Sequence, residues 1–309
     1  MRRSGYIKNK KKYNIFILII VIIVTSTFII GSKKNSKSDA YIVENEVAIE
    51  TISNDESTIE PVEDEQIKKI VEDLIEDKGL TTSDFSLFYY NIDLEKYYFY
   101  NENTYFTAAS TIKMPIAMLY YDKIRNGELN LDDTITYTSD CYEAGSGTTD
   151  YIYSVGSNVP INFLLEQSIV NSDNTAINIL IKNLEYENCK QQIAKYSTIE
   201  LDENFYSSNI INARYAYDIV NHLYKNLEDY SELLDYLKKS SNGQYLKKYI
   251  EDYDVAHKYG SYNGYVHDYG IVFGETNYLI GIFTKNIANA DEFIADTSLK
   301  IFNEVNKES

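Results

Sequence analysis

Apolar positions along the chain fall into three regimes. Residues 13–31 form one uncharged, predominantly apolar run, rich in Ile, Val and Phe. Residues 32–61 are rich in Ser, Asn, Glu and Asp and show no apolar periodicity. From residue 62 onward the pattern takes on regular periods. Ile67, Ile70, Val71, Leu74 and Ile75 recur at i, i+3, i+4 spacing and Gly79 ends the run, which predicts an amphipathic helix. Residues 85–92 and 97–100 are dense in β-formers around the polar connection Asp93-Leu94-Glu95-Lys96, the mark of a hairpin. Its tyrosines read as cross-strand packing on a sheet rather than a sugar-stacking platform.

A helix is expected from about residue 110 to 126, ended by Gly127. Residues 128–255 read as mostly helical with polar loops, most clearly over 161–184. Strands follow at 257–262, 265–273 and 278–284, and a helix closes the chain over about 291–305. Early and late strands should therefore share one antiparallel sheet. The expected fold class is α/β (α+β), with that sheet flanked by helices and a helical subdomain beside it.

Charge divides the chain further. The first 37 residues hold nine Lys and Arg and no acid, leaving 20 Lys and Arg against 47 Asp and Glu, a formal charge of about −27 on the remainder. A body this acidic is a poor ligand for nucleic acid, whose phosphates require cations. The apolar run of 13–31 is long enough, at roughly 1.5 Å per residue, to cross the hydrocarbon layer. Six basic residues precede it, so the positive-inside rule keeps residues 1–12 in the cytoplasm. No clean small-x-small cleavage site follows the run. The expected organisation is a cytoplasmic basic tail (1–12), a single-pass signal anchor in the plasma membrane (13–31), a flexible stalk (32–61) and an extracytoplasmic domain (62–309), taken as a monomer. Scarce Gly and Pro, 13 and 3 residues, suit a domain built mostly of helix and strand. Two cysteines, Cys141 and Cys189, are too few for a disulfide framework, and their pairing stays open.

Candidate chemistry concentrates at Ser110 and Lys113. Three residues apart on a helix, they share a face, and Ser110-Thr111-Ile112-Lys113 is the sole S-x-x-K match in the sequence. A serine hydroxyl needs a base to become a nucleophile, and a lysine serves once burial or a neighbouring cation has lowered its pKa. Ser110 at a helix start also has unpaired N–H groups to stabilise an oxyanion. Ser172-Asp173-Asn174 read alone is an N-cap or turn, and Lys258-Tyr259-Gly260 read alone is a strand lysine before a turn. The three histidines, His222, His257 and His267, lack metal spacing, so no metal or cofactor is expected. There is no G-x-S-x-G elbow. Gly145-Ser146-Gly147 lacks the Lys-Ser/Thr of a phosphate loop and reads as a flexible turn at the rim of a site.

Taken in order, S-x-x-K, S-D-N and K-x-G opening a late strand are the motif set of class A β-lactamases and penicillin-binding proteins. From about residue 85 to 305 the chain resembles the class A β-lactamase-like serine hydrolases. The resemblance implies a β-lactamase/transpeptidase-like fold, with Ser110 as acylated nucleophile, Lys113 as its base and Ser172 as proton relay to the leaving nitrogen. It also implies that Asn174 and Lys258 bind substrate, that Gly260 lies in the substrate site, and that the N–H groups of Ser110 and Ser261 form the oxyanion hole. The substrate would be a small molecule or peptidoglycan-derived amide, either a β-lactam or a D-Ala-D-Ala-type peptide. Two positions depart from the pattern. Tyr259 stands where a small hydroxyl residue is usual, with Ser261 as a partial substitute. No E-x-x-L-N loop supplies a deacylating base, and residues 201–212 look like a short connection in its place. Glu200 and Glu203 are the nearest acids and read as solvated carboxylates. Deacylation is therefore expected to be slow. These departures also keep open a non-catalytic envelope binding or sensor domain on the same fold.

Overall fold

The computed structural model describes residues 60–240, 243–250 and 252–307. The expected basic tail and apolar span, and nearly all of the stalk, lie outside these residues. Among the described residues no helix is long and apolar enough to cross a membrane.

In chain order the elements are β1 (Val62–Glu63), α1 (Glu65–Lys78), β2 (Phe85–Asn91), β3 (Lys96–Tyr100), β4 (Phe106–Thr107), α2 (Lys113–Arg125), β5 (Thr134–Thr136), α3 (Thr149–Ile152), β6 (Asn158–Pro160) and α4 (Ile161–Val170). They continue with α5 (Asn174–Leu184), α6 (Tyr186–Ile193), β7 (Ile210–Ile211), α7 (Ala213–Lys225), α8 (Ser231–Lys239), β8 (Asp254–Tyr262), β9 (Tyr265–Phe273), β10 (Tyr278–Lys285) and α9 (Ala290–Val305). A six-stranded sheet runs in the order β1-β3-β2-β10-β9-β8. Its short edge strand β1 is parallel to β3, and the other neighbours are antiparallel. The expected hairpin is β2 and β3, in register from Leu87 opposite Tyr100 to Asn91 opposite Lys96.

Helix α1 shows how local chemistry fixes the bounds. Asp64 Oδ1 accepts hydrogen bonds from the N–H groups of Gln66 and Ile67, and Gly79 closes the helix in the left-handed region at φ 60°, which costs a residue without Cβ little. Ile67, Val71 and Leu74 are buried against one face of the sheet, with Phe85, Leu87, Ile280, Ile282 and Ile294 of α9. Each such side chain contributes about 1.5–3 kcal/mol when fully buried. The opposite face carries a larger core shared with α2, α4, α5 and α7. Burial on both faces explains the near-continuous apolar runs of β2 and β10. Gly281 makes room for Phe88 between them, since a Cβ there would lie 2.2 Å from the ring.

Two stretches expected to be helical contain a break. The segment 110–126 is a 3-10 turn, Ala109–Ile112, followed by α2. The stretch 161–184 is two helices, α4 and α5, separated at Ser172. Ala109 and Ser172 both sit in the left-handed region, at φ 49° and 54°. Neither is Gly or Asn, so the left-handed backbone is not announced locally, although Ser172-Asp173-Asn174 does read as an N-cap or turn. Tertiary contacts impose it.

Candidate functional site

The two strained turns face each other. Ser110 lies in the 3-10 turn after β4, and β4 is held to the sheet by His267 of β9. His267 Nε2 donates to Thr107 O at 2.9 Å and Nδ1 accepts from Thr284 N at 3.0 Å, which fixes one neutral tautomer; burial pushes that ring down to about 4. Asn209 clamps the turn from the other side. Its carbonyl accepts from Ala108 N at 2.8 Å and its Nδ2 donates to Ala109 O at 3.1 Å. Strained backbone of this kind persists where the surroundings over-determine it.

Strand β8 passes directly beneath. A Cβ on Gly260 would lie 2.8 Å from Ser110 N and 2.9 Å from Thr111 N, so glycine is required for the close approach. Ser261 follows at the sheet edge, opposite Val266. Ser110, Lys113, Asn174 and Ser261 line one pocket of about 440 Å³, within the range of small-molecule sites.

Two buried lysines converge on Ser172. Lys113 Nζ donates to Ser172 O at 2.6 Å, Asn174 Oδ1 at 2.9 Å, Asp173 O at 3.3 Å and Ser172 Oγ at 3.4 Å. Lys258 Nζ donates to the same Oγ at 3.1 Å and to Tyr259 O at 3.0 Å. Burial brings Lys113 down to about 7, although Asp173 and Glu143 pull the other way. Burial first, and then the Lys113 cation, hold Lys258 well below the ordinary lysine value. Two cations sharing one hydroxyl in a dry site disfavour simultaneous charge. Among the described residues no hydrogen bond joins Ser110 Oγ to Lys113 Nζ; the lysine's donors are turned toward the Ser172–Asn174 turn.

That turn is braced from below. Asp173 Oδ1 caps α5 by accepting from Ala176 N at 2.9 Å, so the N-cap reading of the motif holds as well. Its Oδ2 accepts from Thr148 N, Thr149 N and Thr149 Oγ1 at 2.7–2.8 Å. Ser146 Oγ donates to Ser172 O at 2.6 Å and Ser146 O accepts from Asn174 N at 3.2 Å. Gly147, at φ 107°, lies where a Cβ would overlap the Asp173 carboxylate. The Gly145-Ser146-Gly147 segment is thus a fixed brace and not the loose rim expected.

The sequence model of the beta-lactamase enzyme family matches residues 65–305. The chain belongs to that family. It is a β-lactamase-like serine hydrolase. No curated protein matches it. Among solved structures, a leucine-to-glutamate mutant of PBP-A, described as its acyl-enzyme complex with penicillin G, is 21% identical with a TM-score of 0.70, covering 80% of this chain and 99% of that one. A β-lactamase from Sphaerobacter thermophilus is 22% identical with a TM-score of 0.67, covering 79% and 98%. One from Chitinophaga pinensis is 19% identical with a TM-score of 0.68, covering 78% and 100%. At these identities the likeness is one of fold.

Within this β-lactamase-family site, Tyr259 does not line the pocket. It is buried in the core on the α1/α9 side of the sheet, stacked on Tyr245 with ring centroids 5.1 Å apart, and its ring face lies 4.0 Å from Lys258 Nζ. Period-two alternation along β8 accounts for its direction. Glu200 and Glu203 do not line the pocket either. Three residues that do were not legible beforehand. Glu143 accepts from Asn174 Nδ2 at 3.1 Å and Asn178 Nδ2 at 2.9 Å, and comes from a loop with no motif. Asn209 comes from the short 201–212 connection, and Lys190 from α6, where it reads as an ordinary helical lysine. Both cysteines are free and buried, and Cys189 lines the pocket.

Proposed function

We propose that Ser110 is the nucleophile of an acyl-transfer site that attacks the carbonyl of a β-lactam or a D-Ala-D-Ala-type amide and carries the acyl group as an ester. The observation that supports this most is the convergence of Lys113 and Lys258 on Ser172 Oγ beside the Ser110 turn. Lys113 held near 7 is neutral in a large fraction of molecules at physiological pH, and in that form accepts the Ser110 proton. Ser172 Oγ, with both lone pairs occupied by lysine donors, has its own proton left to give to the leaving nitrogen. Asn174 presents its amide to the acyl side, oriented by Lys113 on one atom and Glu143 on the other. Lys258 supplies positive charge for the carboxylate of the departing half. The Ser110 and Ser261 N–H groups, brought close by Gly260, receive the oxyanion.

Deacylation in this reading is slow, because Glu200 and Glu203 lie off the pocket and both oxygens of Glu143, which lines it, are engaged by Asn174 and Asn178. The orientation of Tyr259 away from the pocket removes one of the two features that favoured a non-catalytic sensor, the other being the missing E-x-x-L-N loop. The basic and apolar N-terminal pattern supports a catalytic domain tethered outside the plasma membrane, where peptidoglycan-type amides are found. Fluorescent penicillin supplies the test. Wild-type protein should become labelled one-to-one and lose label over minutes to hours, and Ser110→Ala should stay dark. Equal labelling of both proteins, or of neither, would overturn the acyl-enzyme reading.

A further inference from the structure

The pocket does not end at Ser110. It continues along α5 from Asn174 past Ile177 and Ile181 to Tyr186 and Lys190 of α6. Residues 174, 177, 178 and 181 recur at three- and four-residue spacing and so form one face of the helix. One pocket thus carries the amide of Asn174, the aliphatic side chains of Ile177 and Ile181 and the amine of Lys190.

That amine is out of place by ordinary rules. Lys190 is only 3% exposed, and its Nζ is buried with no hydrogen-bond partner. Its described neighbour is the face of Phe205, 3.8 Å from the ring centroid. Among the described residues no carboxylate lies within ion-pair distance of it, although Glu143 lines the same pocket. Buried charges are almost always paired, and a lone one is costly unless it has a function. A ring face favours the cationic form but offers no lone pair to three N–H donors. Burial lowers the amine to about 8, which still leaves it mostly protonated near neutral pH. A carboxylate arriving from the pocket would satisfy it.

We propose that Lys190 binds a carboxylate at the end of the substrate's acyl chain, so that the preferred acyl donor is a short methylene chain capped by a carboxylate. This rests on the acyl-transfer reading above, in which Asn174 takes the amide beside the scissile carbonyl. The acyl chain then leaves Asn174 along Ile177 and Ile181, whose side chains suit methylenes. The overall negative charge of the body gives no long-range help to an anionic donor, so a desolvated cation at one point carries the selection.

Matched penicillins test it: succinyl, glutaryl and adipoyl derivatives of the penicillin nucleus, each against the alkanoyl derivative of equal chain length. The readout is the ratio of second-order acylation constants within each pair. In wild type at least one pair should favour the carboxylate tenfold or more, with a maximum at one chain length. In Lys190→Met that ratio should fall to about one, with thermal unfolding run alongside to show that the variant is folded. A wild-type ratio near one at every length, or a preference that survives in Lys190→Met, would overturn the proposal. Failure of every penicillin to acylate Ser110 would count against the acyl-transfer reading instead. Equilibrium binding of the same pairs to Ser110→Ala, by calorimetry, then decides the Lys190 site by the same ratio.

Discussion

Lys113 concentrates the residue-scale argument, because its usefulness depends on its protonation. The neutral amine is the proton acceptor, and burial holds the group at about 7 in place of the ordinary 10.5. Below that value the neutral fraction falls tenfold per pH unit, and above it the fraction saturates. The second-order rate of acylation should therefore climb with slope near one from pH 5 to 6.5 and flatten above about 7.5. Stopped-flow labelling across that range measures it. A rate still rising with unit slope through pH 9 would mean that Lys113 is not the depressed base. A flat profile from pH 5 to 8 would mean that it is not the base at all. The position was legible because S-x-x-K followed by S-D-N and K-x-G is a chemical statement, in which each residue type is needed for its reactive group. Lys190 was not, because between Cys189 and Gln191 it looks like any helical lysine, and its burial depends on Phe205 and a pocket assembled from distant segments.

At the scale of elements, the strands were readable and the backbone conformation of the turns that matter was not. Density of aromatic and β-branched residues gave β2, β3, β9 and β10 to within a residue or so, since that property belongs to the strands themselves. The breaks at Ala109 and Ser172 belong to their surroundings. Ser172 keeps its left-handed backbone because Asp173 accepts four hydrogen bonds, three that tie it to Thr148 and Thr149 and one from Ala176 N that caps α5. Hydrogen bonds to a buried charged acceptor are each worth about 1.5–3 kcal/mol, and an amide cannot accept the same set. Asp173→Asn should thus lose about 2–4 kcal/mol, a melting point lower by several degrees for a domain of this size, and should label with penicillin at least tenfold more slowly. Asp140→Asn is the control. Asp140 bonds to Lys182 at the surface, where solvent and salt screen such pairs and they contribute little. Equal melting points for the two variants would show that the Asp173 brace does not hold the turn.

On the whole-molecule scale the acidic body and the cationic site oppose each other. Residues beyond the first 37 carry 47 acidic side chains against 20 basic ones, so the far field repels an anionic penicillin. The attraction comes from the positive charge shared by the Lys113–Lys258 pair, which is buried around Ser172 and held below the usual lysine range. Its influence reaches a ligand that has already entered, whereas the surface field acts during approach. Salt screens the surface field, with a Debye length of about 30 Å at 0.01 M falling to about 8 Å at 0.15 M, and screens buried groups much less. Acylation by benzylpenicillin, a monoanion, should consequently speed up about two- to threefold between 10 mM and 150 mM salt. A neutral ester of the same penicillin should change little over that range. A rate that falls with salt would mean that the local cations dominate even at a distance, and that the acidity of the body has no bearing on capture. The sign of this effect follows from composition alone. Its size depends on how deeply the two lysines are buried, which only the fold determines.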